Sequence, residues 1–147
     1  AMRRHRDNPW TLPLFIKKKM MNALCACLLS FLVDGGRTFL IAGTRSSGKT
    51  SILGSLIAEI MKKTRIISVE DTLEIPVSAY RKIGYNIQPM KVRSALTSQT
   101  SELSAEEGVS TSLRMGDSAL IVGEIRSKEA LALYEAMSVG ALANIVA

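Results

Sequence analysis

Hydrophobic positions alternate along the chain between two rhythms. Four short stretches are apolar on consecutive residues: "TFLIAG" (38–43), "RIISVED" (65–71), "ALIVGE" (119–124) and "ANIVA" (143–147). Runs of this length without a helical period fit parallel strands buried on both faces. Between the first two, Ile52, Leu53, Leu56, Ile57, Ile60 and Met61 recur at helical spacing and predict a helix over residues 49–63 with one buried face. Strand, helix and strand in that order imply a right-handed parallel crossover.

The remaining elements follow from their end signals. Asn22 is placed to cap a helix running to about Leu32, closed by Asp34, Gly35 and Gly36. Ser104 with Glu107 three residues on has capping-box spacing and starts a helix to about Met115. Ser127 begins another through Met137, ended by Gly140. Residues 72–93 read as irregular, with a strand around 85–87. Residues 1–13 are basic and broken by Pro9 and Pro13, the pattern of a linker, and residues 14–147 form one α/β domain.

Composition narrows this less than the pattern does. With 147 residues, 47% of them hydrophobic, the chain can build one ordinary core. The net charge of +6 suits an anionic ligand: a nucleotide, a nucleic acid or an acidic membrane face. The basic clusters at 2–7, 17–19 and 62–65 have no interleaved aromatics, so a base-stacking nucleic-acid platform is not favoured. Cys25 and Cys27 point to different sides of a helix and read as two buried thiols rather than a metal site or disulfide. With no signal-peptide pattern, they fit a reducing cytoplasm. The apolar run at 23–33 is short of the roughly 20 residues that span a bilayer and reads as a buried helix.

The chemistry enters at "GTRSSGKTS". Gly43, Gly48, Lys49 and Thr50 fit G-x-x-x-x-G-K-[ST], with a strand before and a helix after. Glycines let successive N–H groups turn inward at a phosphate chain, and the helix beginning near Lys49 adds the positive end of its dipole. Lys49 would reach the β- and γ-phosphates of ATP and Thr50 would offer a hydroxyl to Mg²⁺, with Ser46, Ser47 and Ser51 as further contacts. Hydrolysis needs carboxylates as well, to hold the metal and position water. Glu124 stands at the carboxyl end of one strand, and Glu70 and Asp71 at the end of another with Glu74 beyond, where parallel sheets collect ligand chemistry.

Together "LIAGTRSSGKTSIL", "IISVEDTLEIP" and "LRMGDSALIVGEIRSKEALALYEAMSVGALANIVA" resemble the phosphate loop, acidic box and Walker B segment of the secretion ATPase superfamily. Its members are hexameric motors of type II and type IV secretion, of pilus assembly and of archaeal flagellum assembly. "RRHRDNPWTLPLFI" is similar to the join before the motor domain in archaeal members. The resemblance implies a RecA-like P-loop NTPase core, a mostly parallel sheet flanked by helices, read here as a fragment cut short at both ends. It implies ATP and Mg²⁺, a homo-hexamer, a membrane-embedded assembly-platform partner, and a cytoplasmic location peripheral at the inner membrane face. By position it makes Glu70 and Glu124 catalytic, with Thr50, Asp71 and Glu124 toward the metal. Arg3, Arg6 and Arg126 fall toward the nucleotide, and Arg81, Arg93 and Arg114 are further candidates for neutralising charge.

The sequence departs from the commoner bacterial pattern. Asp117 and Ser118 stand where that pattern has Pro-Asp, Ser127 follows Arg126, and Gly140 and Ala141 replace Gly-His. These departures resemble an archaeal branch, and the resemblance implies a histidine box after the strand begun at Asn144. The competing readings are a nucleotide-binding module without useful catalysis and, less favoured, a nucleic-acid translocase.

Overall fold

The computed structural model describes residues 8–44, 46–92, 105–123, 134 and 143–146. Its elements are α1 (Leu12–Lys17), α2 (Ala23–Asp34), β1 (Phe39–Leu40), α3 (Lys49–Ile57), β2 (Arg65–Glu70), α4 (Val77–Lys82), β3 (Asn86–Lys91), α5 (Ala105–Leu113), β4 (Ala119–Val122) and β5 (Ala143–Val146). The strands form one parallel sheet in the order β1-β5-β4-β2-β3. Ile66 sits between Ile87 on one side and Ala119 on the other, and Ile121 pairs with Ile145.

The four apolar runs are strands because both faces of the sheet are covered. Ile66, Ile121 and Ile145 pack with Leu53, Leu56, Ile57 and Tyr80 in one cluster that also takes in Ala26 and Val33 of α2. Alternate residues Ile67, Val69, Leu120 and Val122 pack with Val109 of α5 in a second cluster. Gly108 lets α5 approach, since a Cβ there would lie 2.5 Å from Val92 Cγ1. Thus α1 to α4 and α5 take opposite faces, and the RecA-like layering expected from the sequence is observed.

Several boundaries differ from the sequence reading. α1 begins at Leu12, within the stretch read as linker, capped by Thr11, whose hydroxyl accepts from the Leu14 amide at 3.4 Å. α3 ends at Ile57 rather than 63, but Glu59 and Ile60 donate to Leu56 and Ile57, so tighter i to i+3 turns carry the same apolar face onward and Ile60 stays buried. Residues 77–82, read as irregular, form α4. It has no side-chain cap, and Tyr80 is its one fully buried side chain, so no sequence signal announces it. The strand expected around 85–87 runs from Asn86 to Lys91.

The run at 23–33 is a helix with Asn22 as its cap, its side chain accepting from the Cys25 amide at 2.7 Å. It is not a buried one. Only Ala26 and Val33 are buried; Leu24, Leu28 and Phe31 are 79%, 55% and 74% exposed. Cys25 and Cys27 are exposed too, correcting the expectation of core thiols. α2 touches α1 and α3 along one side, and no described element covers the other. The helix expected over 127–137 lies outside the described residues.

Candidate functional site

The loop from β1 to α3 owes its shape to two glycines with different jobs. Gly48 has φ +92°, a conformation that a side chain strains, and Ser46 is also left-handed at φ +64°. Gly43 is needed for proximity instead: a Cβ there would lie 2.5 Å from Ser47 Oγ. The turn delivers Lys49 and Thr50 to the first turn of α3, whose amides have no partners earlier in the helix. Lys49 Nζ donates to the carbonyls of Gly43 and Thr44 at 3.0 and 2.9 Å, holding the ammonium across the loop.

The acids arrive from β2. Glu70, 3% exposed, ends the strand, and its Oε2 accepts the amides of Glu74 and Ile75 at 2.7 and 3.0 Å. The carboxylate therefore fixes the loop that follows its own strand. Burial raises its pKa, with the Glu74 charge adding to the effect, while the Ile75 and Glu74 amides and the nearby Ser68 hydroxyl pull it down. Ser68 Oγ is close enough for that influence but lacks hydrogen-bonding geometry, so it and Glu70 Oε1 stay without a partner among the described residues. Gly123, at the end of β4, makes room for this side chain, since a Cβ there would lie 3.0 Å from Glu70 Cγ.

The loop held by Glu70 returns to the phosphate loop. Thr50 Oγ1 donates to Glu74 Oε2 at 3.1 Å, and Asp71 Oδ1 accepts the Thr72 amide at 2.6 Å. Ser46, Ser47, Gly48, Lys49, Thr50 and Ser51 line a cavity of about 320 Å³, which Glu74, Ile75 and Pro76 border. Asn8, Pro9, Trp10 and Gly54 also line it. The sequence reading missed Asn8, Pro9 and Trp10 because they lie in the stretch taken for a plain linker; the tryptophan between two prolines, just past the basic cluster at 2–7, was the available signal.

The structure thus brings residues 46–51 and Glu74 to one cavity, with Glu70 behind it, holding the loop that bears Glu74. Glu124, Arg3, Arg6, Arg93 and Arg126 lie outside the described residues. Arg81 is engaged elsewhere: its Nε and Nη2 donate to the Ile87 carbonyl at 3.0 and 2.7 Å, tying α4 to β3. Arg114 is exposed after α5. Among the described residues no three His, Cys, Asp or Glu side chains converge as a metal cluster, and no helix is long and apolar enough to cross a membrane.

Known proteins resemble this chain. The type IV secretion system protein PtlH of Bordetella pertussis is 31% identical over 115 residues, 76% of this chain and 32% of PtlH. Protein MJ0781 of Methanocaldococcus jannaschii is 31% identical over 145 residues, 95% of this chain and 20% of that protein. Among solved structures, the VirB11 ATPase of the Brucella suis type IV secretion system, in complex with sulphate, matches with a TM-score of 0.66 at 21% identity. That match covers 99% of this chain and 41% of VirB11. The Legionella pneumophila ATPase DotB matches with a TM-score of 0.70 at 20% identity, covering 98% of this chain and 37% of DotB. These two likenesses concern the fold, and the chain spans at most 41% of any of the four proteins. The profile of the family described as "Type II/IV secretion system protein" matches residues 1–144, and the chain belongs to that family.

Proposed function

We propose that this chain carries the nucleotide site of a motor ATPase that powers protein secretion or pilus- or flagellum-type assembly. In this reading the whole protein binds ATP with Mg²⁺ and works as a hexameric ring. The ring acts at the cytoplasmic face of the membrane against a membrane-embedded platform protein. Asp117, Ser118 and Ser127 favour the archaeal-type branch. The observation that carries the proposal is Lys49 Nζ held across the Gly43–Thr44 turn at the start of α3, beside Thr50.

The donor set suits a phosphate chain. The amides of the first α3 turn, the Lys49 ammonium and the Ser46, Ser47 and Ser51 hydroxyls would hold it, and the close turn at Gly43 leaves the backbone accessible. Thr50 would hold the metal, with Asp71 and Glu124 on the acidic side; bound Mg²⁺ would neutralise charge on the β- and γ-oxygens. Glu70 Oε1, buried and without a partner among the described residues, can take a proton from water as the water oxygen attacks the γ-phosphorus and the bond to the leaving ADP oxygen breaks. Glu124 would share the positioning of that water.

ATP turnover by the protein and its Lys49→Ala and Glu124→Gln variants tests this. Both variants should lose most activity, and rates equal to the unsubstituted protein would sink the motor reading. Stimulation of turnover by DNA or RNA would point to a translocase instead.

A further inference from the structure

We infer that Pro9 and Trp10 form the subsite for the base of the bound nucleotide. This rests on the reading of the phosphate loop as a nucleotide site and adds the part of the ligand that the loop does not touch.

The cavity has two unlike walls. Ser46, Ser47, Gly48, Lys49 and Thr50 present hydroxyls, an ammonium and the positive end of the α3 dipole. Pro9, Trp10 and Gly54 present an apolar surface, with Gly54 further along the same helix. Gly54 is five residues past Lys49, about 8 Å along the helix at 1.5 Å per residue. A volume of about 320 Å³ falls at the lower end of the roughly 300–1,000 Å³ of small-molecule sites, too large for an ion alone. A ligand with a polyanionic head and a flat apolar body matches both walls, and a nucleotide has that form.

The apolar wall is built rather than draped. Pro9 lies over α3 at Gly54, where a Cβ would stand in ordinary contact with Pro9 Cβ at 3.9 Å and crowd Tyr80 Oη at 3.3 Å. Trp10 packs against Phe15 with ring centroids 4.8 Å apart at 41°, and Phe15 is buried in α1. The indole is only partly buried and lines the cavity, so it can offer area for stacking on any base.

Trp10 is the sole tryptophan, so its emission reports on this wall alone. Calorimetric affinities for ATP and for inorganic tripolyphosphate, both with Mg²⁺, would be compared with the emission change each ligand causes. ATP should change Trp10 emission strongly and tripolyphosphate little. Trp10→Ala should weaken ATP about 10-fold while leaving tripolyphosphate within about 2-fold, and Trp10→Phe should keep most of the ATP affinity. Should Trp10→Ala fail to fold, the emission comparison in the unsubstituted protein and the Trp10→Leu variant decide the matter. Equal emission changes, or equal losses for the two ligands, overturn the subsite alone. Failure of the unsubstituted protein to bind either ligand overturns the nucleotide reading and the subsite with it.

Discussion

Thr50 Oγ1 donates a hydrogen bond to Glu74 Oε2 at 3.1 Å, joining the first turn of α3 to the loop after β2. A hydroxyl that donates to a carboxylate keeps its lone pairs for a cation, so Glu74 orients the ligand that Thr50 offers. Glu74→Ala should raise the Mg²⁺ concentration needed for half-maximal nucleotide binding about 10-fold, and Glu74→Gln, which retains an acceptor oxygen, should recover part of the loss. An unchanged Mg²⁺ titration in Glu74→Ala would show that the contact is incidental.

Glu70 is a strand-end acid kept at a cost to stability. Its pKa is raised, so the folded protein holds that proton more tightly than the unfolded chain does. Stability from this group is therefore full below the usual carboxylate value near 4.5 and falls as pH rises through the raised value. Glu70→Gln keeps an acceptor for the Glu74 and Ile75 amides and removes the charge. Its stability advantage over the unsubstituted protein should grow from pH 4 to pH 7 by on the order of 1 kcal/mol, while turnover collapses. Urea unfolding at the two pH values checks the sign.

The two loop glycines should separate by readout. Gly43→Ala pushes a methyl against Ser47 Oγ and should weaken ATP binding more than about 10-fold, because a 1 Å misplacement of positioning groups can cost far more than its strain energy. Gly48→Ala meets nothing within 4 Å among the described residues but must hold φ +92°, so it should also cost about 1 kcal/mol of stability. Thermal melts beside nucleotide titrations distinguish shape from strain.

Tyr80 reaches across from α4 to donate to the Gly54 carbonyl at 2.7 Å, fully buried, and burial pushes its pKa up. Tyr80→Phe should cost about 1–2 kcal/mol in chemical denaturation. It should also loosen the α3 turn against which Pro9 sits, so proteolysis near residues 8–11 should quicken. Unchanged stability would mean that the hydroxyl is readily replaced by water.

The outer face of α2 offers a contrast within one molecule. Leu28→Ser and Phe31→Ser sit at exposed positions and should each cost under about 0.5 kcal/mol in this chain. Leu56→Ala, 1% exposed in the main core, should cost about 2–5 kcal/mol. Equal costs would show that the α2 stripe is packed in solution.

Much of the site was legible because its parts are local. Gly43, Gly48, Lys49 and Thr50 are a few residues apart, and a strand before and helix after are written in adjacent apolar patterns. The partial legibility of Glu74 is instructive: it could be placed near Glu70 in sequence, but its contact with Thr50 joins positions 24 residues apart. α4 escaped notice because Tyr80 is held by a distant helix backbone and not by any signal beside it.

The sequence by itself determined the apolar strands, the glycine turn before α3 and Glu70 at the end of β2, because period, glycine φ and strand-end position are properties of neighbouring residues. Only the tertiary structure decided which side of α2 is covered, that Glu70 uses its carboxylate to hold the loop bearing Glu74, and that Trp10 lines the same cavity as Lys49. Those depend on packing between elements remote in the chain. There, burial and the satisfaction of backbone amides select one geometry from many that the local sequence allows.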